Sequence, residues 1–153
     1  MSEKARGALF NALGDIHGLT VVDAFAGTGA IAFEAISRGA KSAIAIDSDR
    51  AAQKTISANI ESLGLEEQVT AIKSHAKSWL NRTNDTFDIL VCDPPYNEIQ
   101  ERTIEKLVKV VKPGGIVVLS LPPEARIIFG KDFEQLSKKG YGDATLTFYR
   151  KTV

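Results

Sequence analysis

The segment Leu19-Thr20-Val21-Val22-Asp23-Ala24-Phe25-Ala26-Gly27-Thr28-Gly29 decides the fold of this chain. Its first four residues are apolar or β-branched, which is typical of a buried strand, and they lead into Asp23. Two glycines follow, and the stretch from Ala30 to Arg38 is rich in helix formers until Gly39 ends it. A strand, a glycine turn and a helix form the first unit of a doubly wound α/β fold, which binds ligands beyond the carboxyl ends of its strands.

Outside this segment, apolar strands continue to alternate with amphipathic helices. A leading helix (about 2–13) has Ser2 as its cap, and later helices are predicted at 49–63, at 76–80 and around Ile104 to Val111. Further strands are predicted at 42–47, 69–74, 87–93, 116–121, 133–140 and 144–151, with a short helix near 124–128. This order predicts one α/β domain over 1–153, with a mostly parallel seven-stranded sheet, helices on both faces and an antiparallel C-terminal hairpin.

The composition narrows the classes of function. Of the 153 residues, 44% are hydrophobic and 25% charged, which is ordinary for a globular protein, and no apolar run approaches the length of a membrane span. Because the chain has one cysteine, it cannot contain an internal disulfide, and we expect a cytoplasmic protein. Lys plus Arg (19) equals Asp plus Glu (19), so a nucleic acid would have to bind through local patches. No metal-ligand spacing is present, and we expect no metal.

The strand at 42–47 ends in an acid, Asp47, which lies 20 residues after Gly27. An acid at this place and spacing accepts hydrogen bonds from ribose hydroxyls in nucleotide sites. Asp47 is therefore a candidate ligand-binding residue, whereas Asp49 is expected to cap the following helix.

The tetrapeptide Asp93-Pro94-Pro95-Tyr96 closes the strand at 87–93. Its prolines remove two backbone donors and stiffen the turn, which leaves the Pro94 carbonyl free to accept. A carboxylate, a free carbonyl and an aromatic ring within four residues suit a planar amine, whose two N–H groups take the two acceptors while its ring stacks. The sequence thus predicts an amine-binding turn at Asp93, Pro94, Pro95 and Tyr96.

Together, the glycine loop, the acid ending the second strand and Asp-Pro-Pro-Tyr resemble S-adenosylmethionine-dependent methyltransferases that act on exocyclic amines. More closely, Leu9-Phe10-Asn11, the segment 23–30, Glu34-Ala35-Ile36-Ser37-Arg38-Gly39-Ala40 and Tyr141-Gly142-Asp143 are similar to the bacterial enzymes that methylate guanine-N2 in small-subunit ribosomal RNA. The resemblance covers nearly the whole chain. It implies a Rossmann-like methyltransferase that uses S-adenosylmethionine.

The resemblance also implies roles for individual residues. The cofactor would be surrounded by Asp23, Phe25, Ala26, Gly27, Thr28 and Gly29, with Asp47 on its ribose and Ser48 near its adenine. The turn from Asp93 to Tyr96 would hold the target base, with Asp93 also next to the cofactor. Family members usually carry an acid after the third strand that binds the adenine amine, and this chain has Ser74-His75-Ala76 there. His75 therefore either accepts through a ring nitrogen or points to solvent, with Ala76 beside it.

Ribosomal RNA, within a partly assembled small subunit, is the partner that the resemblance implies for a monomeric enzyme. Family members commonly begin with a further segment that helps to grip RNA, whereas this sequence starts at the leading helix, so we expect weak binding to naked RNA. The candidate RNA contacts are basic residues on segments expected near the carboxyl edge of the sheet: Lys4, Arg6, Arg102, Arg126 and Lys131.

Three other functions are compatible with parts of the pattern. Asp-Pro-Pro-Tyr serves adenine amines of DNA or RNA equally well. The segment from Gly27 to Ala32 meets the dinucleotide fingerprint of NAD-dependent oxidoreductases, although 153 residues leave little room for a substrate domain. A catalytically silent RNA-binding module is the third. Cys92, which precedes Asp93 on a buried strand, should face away from the site, which argues against a cysteine nucleophile.

Overall fold

A seven-stranded sheet crosses the molecule in the order β3-β2-β1-β4-β5-β7-β6, and its strands are β1 Thr20–Asp23, β2 Ser42–Asp47, β3 Val69–Lys73, β4 Phe87–Cys92, β5 Val111–Leu121, β6 Phe133–Tyr141 and β7 Ala144–Lys151. The computed structural model describes all residues from 1 to 153. The five strands β1 to β5 are parallel, and β7 pairs antiparallel with both β5 and β6. The predicted mostly parallel sheet with a closing hairpin is confirmed.

Five helices cover the sheet: α1 Glu3–Leu13, α2 Ala30–Ser37, α3 Arg50–Leu63, α4 Ala76–Arg82 and α5 Glu101–Leu107, the last continued by a 3₁₀ turn at Val108–Val110. Local chemistry sets several of their ends. The Ser2 hydroxyl accepts from the Ala5 N–H at 3.1 Å, and Asp49 Oδ2 accepts from the Ala52 N–H at 2.9 Å. These contacts confirm Ser2 and Asp49 as the predicted N-caps.

Two hydrophobic cores lie on opposite faces of the sheet, because successive strand residues point to opposite sides. Val21 belongs to the core under α1, α2 and α3, which we call the α1–α3 face. Its neighbour Val22 belongs to the core under α4 and α5. The same alternation places Val91 on the first face and Cys92 on the second.

The face of α3 that packs on the sheet is not wholly apolar. Leu63, the last residue of the helix, is 60% exposed, while Gln53 is buried. Gln53 Nε2 donates to the Ile72 carbonyl at 2.9 Å and to the Asp47 carbonyl at 3.3 Å. Burial of this amide is tolerated because it pairs with carbonyls at the ends of β2 and β3.

The segment 122–132 contains no helix near 124–128, contrary to expectation. After a turn in which the Ala125 N–H donates to the Pro122 carbonyl, residues 125–130 have no regular secondary structure. Its backbone finds partners on α5, since the Arg126 N–H donates to Glu101 and the Ile128 N–H donates to Glu105, each at 2.8 Å. Side chains of a neighbouring helix thus replace the hydrogen bonds that a local helix would have formed.

Strand β5 begins earlier than predicted, at Val111, and its register with β4 shifts near Gly114 and Gly115. A Cβ on Gly115 would lie 2.7 Å from the Asp88 carbonyl oxygen and 2.6 Å from Val111 Cγ1. The two strands therefore approach so closely at this point that a side chain does not fit.

Replacing Gly115→Ala should lower the free energy of unfolding by about 1–3 kcal/mol, because the added methyl group overlaps backbone that cannot move aside. Urea denaturation measures the change. Gly7→Ala is the matched control: Gly7 lies inside α1 with open space around its Cα, so alanine should raise stability by about 0.5–1 kcal/mol. Equal stability of the Gly115 variant and the parent would contradict the close approach.

Candidate active site

A cleft of about 1190 Å³ opens at the carboxyl edge of the sheet, where the parallel strands end. Its walls are the start of α1, the glycine loop after β1, the turn after β4 and the β6–β7 hairpin. Pockets for single small molecules usually measure about 300–1,000 Å³, so this cleft has room for a cofactor and part of a second molecule.

The strand register places a row of polar side chains along this cleft. Asp23 pairs with Ala45 on one side and Val91 on the other. Asp47, at the end of β2, and Asp93, directly after β4, therefore each lie two residues further along the chain. Those offsets preserve the side-chain direction, and all three carboxylates share the α1–α3 face. The sequence predicted three features at adjacent strand ends, and the sheet order β2-β1-β4 confirms their adjacency.

Asp47 holds the glycine loop in place. Its Oδ2 accepts from the Gly27 N–H at 2.8 Å, and its Oδ1 accepts from the Asp49 N–H at 2.8 Å. The loop needs glycine, since φ is +55° at Gly27 and +85° at Gly29. A carboxylate has about four lone-pair sites, so two acceptor positions of Asp47 remain for a ligand in the cleft.

Asp23 is the most perturbed acid of the site. It is 1% exposed, and its only hydrogen bond is accepted by Oδ1 from the Phe25 N–H at 3.2 Å. Burial, followed by the charges of Asp93 and Asp47, raises the pKa of Asp23 to about 7, although the Phe25 N–H and the Met1 ammonium act in the opposite direction. A cationic ligand in the cleft would therefore relieve an unfavourable concentration of negative charge.

The turn after β4 presents the acceptors that the sequence predicted. The Asp93 side chain is 17% exposed, and its Oδ2 lies 3.1 Å from the α-amino group of Met1, so the carboxylate is accessible to an amine. No hydrogen bond ends on the Pro94 carbonyl, whereas the Pro95 carbonyl accepts from the Glu98 N–H at 3.0 Å. Tyr96, 42% exposed, forms part of the cleft wall.

Most of the predicted cofactor residues line the cleft: Asp23, Phe25, Ala26, Gly27, Thr28, Asp47, Ser48, His75, Ala76 and Asp93. Gly29 does not. It caps α2, its N–H donates to the Ala26 carbonyl at 2.9 Å, and a Cβ there would lie 2.9 Å from the Phe33 ring. Its role in the structure is to let the loop turn and α2 pack. His75 is exposed at the cleft wall and makes no side-chain hydrogen bond.

The five predicted RNA contacts divide into two groups. Lys4 and Arg6 line the cleft, and Arg6 Nε is paired with Glu34 Oε1 at 2.9 Å. Arg102, Arg126 and Lys131 are exposed but do not line it.

The expected position of Lys131 near the carboxyl edge is wrong. The β6–β7 pairing places Phe133 opposite Lys151, and the β5–β7 pairing places the amino end of β5 at the same level. Because β6 runs in the same direction as β5, the segment 122–132 must cross back from the carboxyl edge to the opposite edge. Lys131, at the end of that segment, lies there.

Two parts of the cleft were not predicted from the sequence. The turn of the β6–β7 hairpin, residues 139–144, forms one wall, although the sequence indicated only that a turn was present. Ser120, near the end of β5, also lines the cleft. In the sequence, Ser120 differs from its neighbours only as the single hydroxyl residue in the apolar run from Ile116 to Leu121.

Cys92 is fully buried in the core under α4 and α5, which confirms that it faces away from the cleft. Burial raises the pKa of its thiol, so a thiolate nucleophile is not available at this position. None of the helices combines the length and the apolar character that crossing a bilayer requires.

Comparisons with known proteins point to one group. Residues 1–150 match the family described as conserved hypothetical protein 95. The ribosomal RNA small subunit methyltransferase D of Haemophilus influenzae is 26% identical over 97% of this chain and 80% of its own length. A putative rRNA methyltransferase of Bacillus subtilis is 26% identical over 98% of this chain and 86% of its own. The solved structure of a putative methyltransferase from Escherichia coli superposes with a TM-score of 0.91, at 25% identity, over 99% of this chain and 87% of that one.

Stability should fall as the pH rises from about 4 to about 7, because Asp23 keeps its proton in the folded state over that range and loses it in the unfolded state, where its pKa is near 3.8. The loss is about 4 kcal/mol at most and levels off above pH 7. Asp23→Asn, which can still accept from the Phe25 N–H, should flatten this slope in urea titrations at pH 5 and pH 8. The exposed Asp85→Asn should leave the slope as it is, and an equally steep slope in both variants would contradict the shift.

Proposed function

The chain belongs to the family described as conserved hypothetical protein 95, and from this membership and the chemistry of its cleft we propose that it is an S-adenosylmethionine-dependent RNA methyltransferase. The proposed reaction is transfer of a methyl group to the exocyclic amine of guanine, N2, in small-subunit ribosomal RNA. The observation that supports it most is the juxtaposition of Asp93 and the unpaired Pro94 carbonyl with the acidic glycine-loop site. Relatives named as ribosomal RNA small subunit methyltransferases support the choice of RNA.

The charge of the cleft fits S-adenosylmethionine better than NAD. Asp23, Asp47 and Asp93 face the ligand space from three neighbouring strands, and Arg6, a basic side chain of the wall that α1 forms, is paired with Glu34. A pyrophosphate would meet the carboxylates of Asp47 and Asp93 and the partly ionised Asp23 there, whereas a sulfonium and an ammonium group would be attracted by them. The backbone at Gly27 borders open space, because a Cβ at this position would meet nothing within 4 Å. The cofactor can therefore approach the loop closely there.

Different residues of the cleft would bind different parts of S-adenosylmethionine. When bound, S-adenosylmethionine supplies an electrophilic methyl group. The free lone pairs of Asp47 would accept from its ribose hydroxyls, and Asp23 would face its charged methionine end. Ser48, His75 and Ala76, at the ends of β2 and β3, would border its adenine. We propose no acidic side chain that binds the adenine amine. Ser74 does not take that place, because its hydroxyl already donates to the His75 carbonyl and accepts from Arg82.

The turn after β4 would hold and activate the target amine. The Asp93 carboxylate and the Pro94 carbonyl each accept one N–H, which draws the nitrogen lone pair out of conjugation and orients it for attack. Asp93 also lies where the proton released by the amine must leave. The Tyr96 ring would stack on the base. Because both acceptors are held rigidly, the rate enhancement comes from orientation and electrostatics and needs no strong base.

A base inside a duplex cannot reach this turn, so the target guanine should be in a loop or flipped out. The chain has no net charge, and Arg6 is already paired, which limits its attraction for phosphates. Lys4 is the predicted contact that is both exposed and at the cleft. We therefore propose that a partly assembled small subunit is a better substrate than free RNA.

Incubation with labelled S-adenosylmethionine and ribosomal RNA from methyltransferase-deficient cells, followed by nucleoside digestion, should yield N2-methylguanosine. Asp93→Ala should reduce the methylation rate by about 10²–10³-fold, because one of two oriented acceptors is lost, and should leave cofactor affinity within a few fold. Tyr96→Ala should weaken RNA binding by about 1–3 kcal/mol through lost stacking, while Tyr96→Phe should retain the stacking.

Parallel reactions on free RNA and on partly assembled particles test the choice of substrate. A faster reaction on particles supports the proposal. Methyladenosine as the product would show that the adenine alternative is correct, and an Asp93→Ala enzyme as fast as the parent would refute the role of the turn.

Calorimetric titration should detect binding of S-adenosylmethionine and no tighter binding of NAD. Asp47→Ala should lower cofactor affinity at least tenfold, because charge-assisted ribose contacts and the anchor of the glycine loop are both lost. Asp49→Ala is the matched control: it removes the cap of α3, at a cost of about 1 kcal/mol in stability, and should bind the cofactor like the parent. Tighter NAD binding would overturn the assignment.

A further inference from the structure

Ser120 carries the one buried side-chain polar atom in the protein that has no hydrogen-bond partner. The residue is fully buried, and its hydroxyl lies within an otherwise apolar stretch of β5. Leaving such a group unpaired costs about 1–3 kcal/mol relative to a satisfied one, whereas an alanine of nearly the same shape would avoid that cost. An orphaned hydroxyl at a cleft wall therefore points to a partner that arrives with the ligand.

Ser120 lies beside the proposed binding site of the target base. Val91 pairs with Val118, so Ser120 on β5 is level with Asp93 beyond β4, and both point toward the α1–α3 face. Ser120 and Tyr96 line the same cleft. Burial raises the pKa of Tyr96, and the Ser120 hydroxyl, which is close enough to attract the Tyr96 hydroxyl, acts against this rise. The contact does not have the geometry of a hydrogen bond, so Ser120 Oγ is unpaired in the free protein.

Three groups with acceptor atoms then line the same part of the cleft: the Asp93 carboxylate, the Pro94 carbonyl and Ser120 Oγ. The edge of guanine that carries its amine displays three adjacent N–H donors, two on N2 and one on N1. In adenine, the ring nitrogen beside the amine carries a lone pair and no hydrogen. A third acceptor beside the amine site is therefore complementary to guanine.

We propose that Ser120 is a specificity-determining residue whose Oγ accepts the N1–H of the target guanine beside the amine held by Asp93. The assignment rests on the proposed function. It adds a reason why this site should take guanine in preference to adenine, which the Asp-Pro-Pro-Tyr turn by itself does not supply. The unpaired hydroxyl of the free protein is the acceptor that completes the base pocket.

The test compares RNA with guanine and RNA with 2-aminopurine at the methylated position. 2-Aminopurine keeps the amine but has a lone pair in place of the N1–H. Because it also lacks the O6 of guanine, the comparison is made as a cycle with Ser120→Ala. The parent should prefer guanine, and Ser120→Ala should reduce this preference about tenfold by slowing the guanine reaction. Cofactor affinity should not change.

Two controls separate recognition of the base from a structural role. Thr147→Val removes a buried hydroxyl on the adjacent strand β7, outside the cleft, and should keep the full guanine preference. The free energy of unfolding of Ser120→Ala should equal or exceed that of the parent, because no native hydrogen bond is lost.

An unchanged preference in Ser120→Ala would overturn the role of Ser120 while leaving the proposed function intact. A preference lost equally in Thr147→Val would also overturn it, because the effect would then come from general loosening of the sheet. If the parent methylates neither base, the proposed function itself fails, and the assignment of Ser120 fails with it.

Discussion

The common register of the parallel strands β2, β1, β4 and β5 is the constraint on which the rest of this structure depends. It places Asp47, Asp23, Asp93 and Ser120 on one face of the sheet at nearly one level, although four of the five helices lie between Asp23 and Ser120 in the sequence. A shift of one residue in any pair would turn the corresponding side chain to the opposite face, under α4 and α5. The hydrophobic alternation that builds the two cores therefore also aligns the site.

This alignment concentrates acidic groups where the sheet has no basic side chain between them. The protein tolerates the arrangement because backbone N–H groups solvate the carboxylates: Gly27 and Asp49 donate to Asp47, and Phe25 donates to Asp23. Asp23 takes up a proton near neutral pH, which reduces the repulsion that remains between it and the carboxylates of Asp47 and Asp93. The site is thereby matched to ligands that bring positive charge or N–H donors, which are the two kinds of group that methyl transfer to an amine requires.

The opposite wall of the cleft arises from the C-terminal hairpin. Strand β7 pairs antiparallel with β5 and brings the turn at 139–144 to the carboxyl edge, where Lys139 lies 5.5 Å from the centre of the Tyr141 ring. The same topology removes Lys131 to the far edge, because the chain must cross the molecule before β6 can begin. The order of strands, and not the distribution of charge along the chain, thus decides which basic groups can meet a substrate.

The sequence by itself determined the features that depend on neighbours in the chain. Glycines at 27 and 29 require positive φ, Ser2 and Asp49 cap helices within three residues, and alternating apolar residues define strands, so the α/β order and the two motif-bearing turns were predictable. Only the tertiary structure decided that Gly29 packs beside Ile56 of α3 instead of lining the cleft, that Gln53 is buried, and that Ser120 lies unpaired beside the amine turn. These outcomes depend on contacts between elements distant in sequence, and strand register and packing, which set those contacts, leave no local signature in the chain.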